Sequence, residues 1–291
     1  MPNNNRNSDL VPLYAMLYEA SVRRALLEDL GRAGDITTDA IVSPKDTATA
    51  VILSRASGRV AGIEVAGAAF RCLDPTLSFE AKIQDGKDAN PGDTLAVVRG
   101  AARPILSAER TALNFLARLS GIATATRDIV VMVSAYPARV VCTRKTTPGL
   151  RALEKYAVRA GGGANHRFGL DDAVLIKDNH IVVAGGVAEA IRRVRRSTGH
   201  MVKIEVEIDT LEQLEPALQQ GVDAVLLDNM PVDRLAEAVR MTHKRALTEA
   251  SGGVTPETAE EVAATGVDIL SVGWITHSAP ALNLSLDLTF G

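Results

Sequence analysis

Two adjacent cations follow an apolar run near the middle of the chain, and their position indicates that they bind an anion. The strand-like stretch ARVVC leads directly into TRKTTPG, so Arg144 and Lys145 stand side by side at its end. Neighbouring like charges repel, and the repulsion is costly near a low-dielectric interior unless an anion lies between them. His166, Arg167 and Lys177 add further groups suited to carboxylates or phosphates.

Carboxylates accompany these cations, which narrows the predicted chemistry. Glu205 and Glu207 lie two residues apart in VKIEVE, so they share one face of a strand, and Asp228 ends the apolar run DAVLLD. Alternation alone does not choose between Glu205 and Glu207. Such carboxylates suit Mg²⁺ carried by a phosphorylated ligand, or the hydroxyls of a ribose. Cations and carboxylates together predict a phosphorylated substrate.

Glycines after the last two predicted strands are candidates for binding the phosphate. The stretch EASGGVTPET supplies Ser251, Gly252 and Gly253, and SVGWITHS supplies Gly273. Glycine lets the backbone approach a ligand closely, and the late strands of α/β barrels often bind phosphate near a short helix. We therefore predict that these two loops bind the phosphate.

The elements that hold these residues alternate between strands and amphipathic helices. This is the pattern of βα units, so the sheet is predicted to be parallel, and its six or seven units predict a TIM-like, incomplete α/β barrel. The carboxyl ends of barrel strands form one rim, where active sites lie. The predicted strands are residues 139–143, 172–177, 202–207, 223–228, 246–250 and 268–273.

The N-terminal part has a different pattern of predicted secondary structure. Residues 47–103 contain short strand-like runs separated by DG and PGD turns, which predicts an antiparallel sheet. We predict an N-terminal domain over residues 9–106 and the barrel over residues 107–280. In the tail, residues 281–289, leucines alternate with polar residues, so this segment is predicted to return to the N-terminal sheet as a strand.

A long helix is predicted between the two domains, from Ser107 to Ala135. Ser107 has the side chain of an N-cap, which places Glu109 and Arg110 in the first helical turn. A glutamate is favourable there, but an arginine opposes the helix dipole. Arg110 is therefore either solvated or held for a ligand.

The composition excludes several classes of protein. The 291 residues carry 32 Lys and Arg against 35 Asp and Glu, so no global field attracts nucleic acid or an anionic membrane. Aromatic residues are 3% of the chain, too few for a stacking platform. Cys72 and Cys142 have no metal-ligand spacing and do not form a disulfide scaffold. We predict a cytoplasmic protein without a signal peptide or membrane span, and disorder in the Asn-rich first eight residues.

Together the motifs resemble the quinolinate phosphoribosyltransferase family (nicotinate-nucleotide pyrophosphorylase, carboxylating). The matching segments follow one another from residue 28 to residue 278, nearly the whole chain. The most specific are TRKTTPGLR, GGGANHR and KDNH. The others are EDLGRAGDITT, SAERTALNFLARLSGIAT, IEVEIDTLEQL, LLDN, SGGV and SVGWITHS.

The resemblance implies a fold and a reaction. The fold is an N-terminal α/β sandwich and a barrel that is not fully closed, in a homodimer whose active sites lie at the subunit interface. The reaction converts quinolinate and phosphoribosyl pyrophosphate to nicotinate mononucleotide, pyrophosphate and CO₂, with Mg²⁺, in NAD biosynthesis. Glu207 or Asp228 would stabilise the oxocarbenium-like state, and Lys145, Lys177 or water would protonate the carbanion left by CO₂.

The resemblance also implies the roles of particular residues. Quinolinate would be bound by Arg144, His166, Arg167 and Lys177, together with Arg110 of the partner subunit. Phosphoribosyl pyrophosphate would contact Lys145, Asn179, His180, Glu207, Asp228, Ser251, Gly252, Gly253 and Gly273, together with Glu109 of the partner subunit. The metal would be held through the pyrophosphate of the substrate, near Glu207 and Asp228. The catalytic residues would be Lys145, Lys177, Glu207 and Asp228.

Three other functions stay open at this point. A Schiff-base aldolase also uses a barrel lysine, for which Lys177 is the candidate. A related phosphoribosyltransferase-like protein of molybdenum uptake operons shares the TRKT and HR motifs, but is expected to lack KDNH. A non-catalytic sensor would bind the dianion without turnover, but the presence of both Glu207 and Asp228 argues against it.

Overall fold

The computed structural model describes residues 10–290, so the prediction of disorder in the first eight residues lies outside the described part of the chain. Contacts divide the chain into two compact units. The first unit contains the residues up to Arg127, the segment Thr147–Gly162 and the residues from Ser278 onward. The second unit contains Asp128–Thr146 and Gly163–His277.

The helices and strands follow the chain in two stretches. As far as the long central helix they are a 3₁₀ turn at Ala15–Leu17, α1 (Glu19–Leu30), α2 (Ile36–Ile41), β1 (Thr47–Ser54), β2 (Gly58–Arg59), α3 (Ile63–Leu73), β3 (Ser78–Ala81), β4 (Asp88–Ala89), β5 (Thr94–Ala101) and α4 (Ala102–Met132). After it come β6 (Arg139–Val141), α5 (Arg151–Ala160), β7 (Val174–Ile176), α6 (Asp178–Ala184), α7 (Val187–Ser197), β8 (Ile204–Ile208), α8 (Leu211–Gln219), β9 (Ala224–Asp228), α9 (Val232–Thr242), β10 (Leu247–Ser251), α10 (Ala259–Ala264), β11 (Ile269–Ser271), α11 (Trp274–His277) and β12 (Leu284–Phe290).

The first unit is built on a four-stranded antiparallel sheet in the order β12, β1, β5, β3. In β1, buried residues such as Ala50 and Ile52 alternate with less buried ones, which is the pattern of a strand with one face on a core. The C-terminal strand β12 lies at the edge of this sheet, where Leu288 pairs with Ala50 and Leu286 with Ile52.

The start of the long helix differs from the prediction. The structure begins α4 at Ala102, so the predicted N-cap at Ser107 is wrong, and Glu109 and Arg110 lie beyond the first turn. Pro104 falls in that first turn, where its missing N–H would have no helical partner in any case. The Ser107 hydroxyl instead donates a hydrogen bond to Oδ2 of Asp35 at 3.0 Å.

The second unit confirms the predicted parallel barrel sheet. Six parallel strands lie in the order β6, β11, β10, β9, β8, β7. Because β6 and β7 are the two edges and no hydrogen-bonded strand pairing joins them within residues 10–290, the barrel is not fully closed.

The two faces of these strands have different chemistry. Val206, Val225 and Leu227 are fully buried, and burying one such side chain contributes about 1.5–3 kcal/mol. Period-two alternation puts Glu205 and Glu207 on the opposite face of β8, which is the inner face of a barrel. The apolar face therefore stabilises the fold, while the inner face combines Glu205 and Glu207 with apolar neighbours such as Leu226. Within residues 10–290, no helix is both long and apolar enough to cross a membrane.

Candidate functional site

The carboxyl ends of the strands bring several predicted site residues together. The register pairs Leu175 with Glu205, so Lys177, which follows β7, comes opposite Glu207. The Lys177 Nζ donates to Oε2 of Glu207 at 3.2 Å. In the same way Ser251, the last residue of β10, pairs with Asp228, the last residue of β9. The prediction that polar strand ends meet at one edge is confirmed for these residues.

Two arginines form the cationic part of this site. Arg144 follows β6, and both it and Arg167 are half-buried. Burial lowers the pKa of the Arg167 guanidinium, and the neighbouring charge of Arg144 lowers it further. The Nε atoms of both arginines are buried and have no hydrogen-bond partner among residues 10–290. Two close guanidinium groups with unused donors are suited to an anion that carries more than one charge.

His166 lies beside two carboxyl groups, those of the half-buried Glu205 and the buried Glu249. Its Nε2 is 3.0 Å from Oε2 of Glu205 and 3.6 Å from Oε1 of Glu249. Its Nδ1 accepts the backbone N–H of Arg167 at 2.8 Å. Burial and the charge of Glu205 raise the pKa of the Glu249 carboxyl well above its usual range. The Oε1 atom of Glu249 has no hydrogen-bond partner in the described chain.

Three carboxylates form an acidic group beside Lys177. Oxygen atoms of Glu207, Asp209 and Asp228 lie within 4.8 Å of one another. Glu207 is nearly buried, whereas Asp209 is exposed. Carboxylate oxygens are the ligands that Mg²⁺ prefers in proteins, so the chemistry of this donor set fits the metal that the sequence predicts.

Backbone contacts hold the loops after β9 and β10 together. The Asn229 N–H donates to the carbonyl of Ser251 at 2.8 Å, and the Asn229 side chain donates to Oδ2 of Asp228 at 2.7 Å. Gly252 lies against Asn229 so closely that a Cβ at this position would overlap with Oδ1 of Asn229. Gly252 and Gly253 are exposed, so their backbone is accessible to a ligand.

A further glycine, Gly273, follows the barrel strand β11 and lies against Lys145. A Cβ at Gly273 would lie 3.2 Å from Cδ of Lys145 and 3.6 Å from Oγ1 of Thr143. The Thr276 hydroxyl, in the short helix α11 that follows, donates to the Lys145 carbonyl at 2.8 Å. Gly273 and Lys145 are therefore neighbours, although they are far apart in the sequence.

The residues of the KDNH motif have different surroundings. Lys177 contacts Glu207, whereas the two residues at the end of the motif make no hydrogen bond to that carboxylate. Asn179 and His180 are exposed and belong to the first turn of α6. The Nδ1 of His180 accepts the backbone N–H of Lys177 at 2.9 Å, a contact that stabilises the start of the helix. His180 also lines an apolar groove of about 460 Å³ with Val183 and Val194. Glu109 and Arg110 lie on α4 in the first unit, where Arg110 is exposed.

Sequence reasoning left Glu205 as an alternative to Glu207, and it did not assign a role to three further residues that the structure places here: Asp209, Asn229 and Glu249. A signal for Asp209 was present, because Glu205, Glu207 and Asp209 recur with period two in IEVEID. The proximity of Glu249 to His166 joins β10 to the segment after α5. No spacing along the chain predicts that contact.

The open parallel barrel, with cations, carboxylates and glycine loops at the carboxyl ends of its strands, places this chain among the α/β-barrel enzymes that act on anionic substrates. The chain belongs to the quinolinate phosphoribosyltransferase family. The family model of the N-terminal domain (Quinolinate phosphoribosyl transferase, N-terminal domain) matches residues 35–120, and that of the C-terminal domain matches residues 122–287.

Individual relatives agree with this assignment. The chain is 45% identical over 276 residues to the nicotinate-nucleotide pyrophosphorylase [carboxylating] of Mycobacterium leprae, covering 92% of this chain and 96% of the relative. It is 44% identical over 263 residues to the probable nicotinate-nucleotide pyrophosphorylase [carboxylating] of Bacillus subtilis, covering 90% of each chain. The crystal structure of NadC from Streptococcus pyogenes matches with a TM-score of 0.93 at 36% identity, covering 96% of this chain and 99% of that chain.

Proposed function

We propose that this protein is a decarboxylating quinolinate phosphoribosyltransferase. It converts quinolinate and phosphoribosyl pyrophosphate to nicotinate mononucleotide, pyrophosphate and CO₂, in NAD biosynthesis. The observation that carries the proposal is the pair of half-buried arginines, Arg144 and Arg167, whose Nε donors have no partner among the described residues. We expect the enzyme in the cytoplasm, as the sequence predicts.

The arginine pair favours a dianion over a monoanion. A buried donor without a partner costs about 1–3 kcal/mol, and more when it is charged. Quinolinate has two adjacent carboxylates, one for each of Arg144 and Arg167, and Lys177 adds a third positive charge. Nicotinate has one carboxylate, so it would leave part of this cluster without a partner. The site therefore selects quinolinate by the cost of leaving a guanidinium unpaired.

The second substrate occupies the carboxyl ends of the later strands. The accessible backbone of Gly252 and Gly253, with Ser251, binds the 5-phosphate, and Lys145 beside Gly273 binds the pyrophosphate. Asn179, exposed in the first turn of α6, contacts the same substrate, whereas His180 contributes by ordering the start of α6. Lys145 thus binds the phosphoribosyl pyrophosphate and the adjacent Arg144 binds quinolinate, at the point where the two substrates meet.

Glu207, Asp209 and Asp228 would hold Mg²⁺ together with the substrate pyrophosphate, as their grouped oxygens indicate. When it is bound, Mg²⁺ neutralises charge on the pyrophosphate leaving group. Lys177 bonds to Glu207 and orients this carboxylate. Removal of divalent metal with a chelator should abolish turnover, and added Mg²⁺ should restore it.

The protein side chains act on two steps. The pyridine nitrogen attacks C1 of the ribose as pyrophosphate leaves, and Glu207 or Asp228 stabilises the positive charge that develops on the ribose. CO₂ then leaves from the carbon next to the pyridinium nitrogen, and Lys145, Lys177 or water protonates that carbon. The arginines hold the ring in the orientation that both steps need.

The active unit is a homodimer in this proposal, with Glu109 of the partner subunit on phosphoribosyl pyrophosphate and Arg110 of the partner subunit on quinolinate. The position of Arg110 supports the proposed dimer. Its side chain is exposed on α4, beyond the first helical turn in which the sequence analysis placed it. An exposed arginine of one subunit is free to reach a site on another.

The test is release of CO₂ and pyrophosphate from quinolinate and phosphoribosyl pyrophosphate, with nicotinate as the control substrate. We expect turnover with quinolinate and at least ~100-fold slower turnover with nicotinate. Arg144→Gln and Arg167→Gln should each lower kcat/KM for quinolinate by at least ~10-fold. The matched control is Arg192→Gln, an exposed arginine of α7 that pairs with Glu189. Folded protein that releases no CO₂ from quinolinate would disprove the proposal.

A further inference from the structure

His166 is held on both nitrogen atoms of its ring. The Arg167 N–H donates to Nδ1 at 2.8 Å, and Nε2 lies 3.0 Å from Oε2 of Glu205. A ring nitrogen that accepts a hydrogen bond carries no proton, so the proton of the neutral ring is on Nε2. The Nε2–H group therefore donates to Glu205, with Oε1 of Glu249 also near, at 3.6 Å.

The same hydrogen bonds argue against a metal ion at this cluster, although ligand atoms of His166, Glu205 and Glu249 lie within 4.8 Å of one another. A metal on Nε2 requires the lone pair of that nitrogen, and the ring proton would then be on Nδ1. A proton on Nδ1 would face the N–H of Arg167. Hydrogen bonds of His166, and not a metal ion, therefore hold this cluster together.

We propose that Glu205 and Glu249 are positioning residues: they keep His166 in its Nε2–H tautomer, and His166 in turn fixes the backbone that carries Arg167. This inference rests on the proposed function, which assigns the Arg167 guanidinium to quinolinate. Glu205 and Glu249 thus act on the substrate through His166 and Arg167.

The His166 ring needs the hydrogen bonds to fix its orientation, because one side of the ring faces a cavity. His166, Glu205 and Glu249 line a cavity of about 520 Å³, together with residues near the amino ends of the strands such as Ala224 and Leu247. The χ2 angle of a histidine has a broad, roughly two-fold preference, so packing must select the orientation. If the ring turned over, Nδ1 would lose the Arg167 N–H.

The two carboxyl groups have different parts in the restraint. Glu205 is the acceptor of the Nε2–H group. The Glu249 side chain is 3% exposed, and burial followed by the charge of Glu205 raises its pKa. Burial and the charge of Glu205 therefore favour the uncharged form of Glu249, and this form leaves a single negative charge, that of Glu205, next to the ring. The charged groups on the other elements around the cavity are Arg167, Asp172, Lys203 and Asp223.

The experiment compares Glu205→Gln, which keeps a side-chain oxygen as acceptor, with Glu205→Leu, which removes it. The His166 tautomer is read from ring ¹⁵N chemical shifts of the full-length protein. The chain has five histidines, so the signals are assigned by comparison with His166→Gln. The KM for quinolinate and the KM for phosphoribosyl pyrophosphate are measured on the same samples. Glu189→Leu, on the exposed face of α7, is the matched control.

We expect the Nε2–H tautomer in the wild type, in Glu205→Gln and in Glu189→Leu. In Glu205→Leu we expect a mixture of tautomers, with the KM for quinolinate at least ~10-fold higher and the KM for phosphoribosyl pyrophosphate unchanged. An Nδ1–H tautomer in the wild type would overturn the inference. A folded Glu205→Leu protein with the wild-type tautomer and quinolinate KM would overturn it as well.

The tautomer measurement separates this inference from the proposed function. A wild-type protein without quinolinate turnover would show that the proposed function is wrong. The ¹⁵N shifts of Glu205→Leu would still decide whether the carboxyl groups position His166. If Glu205→Leu does not fold, Glu249→Leu tests the same restraint, with Glu249→Gln as its conservative partner.

Discussion

The Nζ atom of Lys177 lies 3.2 Å from Oε2 of Glu207, so an ion pair joins the residue after β7 to the inner face of β8. The Glu207 side chain is 11% exposed and that of Lys177 is 50% exposed. Schiff-base lysines are activated in apolar surroundings or next to other cations. Lys177 is instead held by a carboxylate, and this arrangement favours binding and orientation of anions over an aldolase.

Loss of Lys177 should therefore impair turnover more than folding. We expect Lys177→Met to lower kcat/KM for quinolinate by about 100-fold, because the site loses a cation and Glu207 loses its partner. Lys203→Met is the control, since Lys203 pairs with Asp223 before β8 begins. Steady-state kinetics and thermal denaturation are measured on both variants. Equal loss of activity in the two variants would show that the position of Lys177 is not special.

The contact between Gly252 and Asn229 makes a second prediction. Gly252 has φ +85° and Gly253 has φ +65°, so alanine at either position adopts a left-handed backbone that costs about 1–2 kcal/mol. Only at Gly252 does the added Cβ also overlap with Asn229. Apart from Gly253 itself and its two chain neighbours, no atom of residues 10–290 lies within 4 Å of a Cβ at Gly253.

Gly252→Ala should raise the KM for phosphoribosyl pyrophosphate by at least ~10-fold relative to Gly253→Ala, because it displaces the loop that binds the phosphate. The KM for quinolinate should change little in either variant. Phosphate binding to the loop after β10 would be excluded if both variants kept the wild-type KM for phosphoribosyl pyrophosphate.

The raised pKa of Glu249 predicts a pH-dependent stability. Burial, then the charge of Glu205, raise the pKa of this carboxyl to about 8, with His166 and Ser271 acting in the opposite direction. A group with a raised folded pKa contributes stability below its unfolded pKa and loses it as pH rises through the folded pKa. The wild type should therefore lose stability between about pH 5 and pH 9 relative to Glu249→Gln, which has no charge to gain.

The measurement is urea unfolding of the two proteins across this range. A pKa shift of one unit corresponds to ~1.4 kcal/mol, so the free-energy difference between wild type and variant should change by at least about 1 kcal/mol. A difference that is constant with pH would mean that Glu249 ionises in the folded protein as it does in water.

The sequence was sufficient for the parallel barrel sheet and for placing Lys177 and Glu207 at the same edge of it. The βα spacing gave parallel strands, and parallel register places residues at the ends of neighbouring strands side by side. The start of α4 was predicted too late because Ser107 has the side chain of an N-cap, whereas the helix already begins at Ala102 with Pro104 in its first turn. A local capping pattern is thus less reliable than the spacing of whole βα units.

The hydrogen-bond partners of His166 could not be predicted from the sequence. His166 was predicted to bind quinolinate, and the structure gives its ring nitrogens to Arg167 and Glu205. Which carboxylate reaches a histidine depends on the packing of several strands, to which sequence spacing gives no distance. The prediction that His166 contacts quinolinate itself stays a prediction.

The proposed dimer makes the last prediction, by mixing two inactive proteins. Arg144→Ala removes a residue from the site of its own subunit, and Arg110→Ala removes one that the proposal assigns to the other subunit's site. In a mixed dimer, one site therefore loses both arginines and the other keeps both. Random exchange gives about half mixed dimers, so about a quarter of the wild-type activity should return. The activity of the mixture is measured after subunit exchange has been verified with differently tagged proteins. If Arg110 served its own subunit, every site in the mixture would lack one arginine and the activity would stay at the level of the single variants.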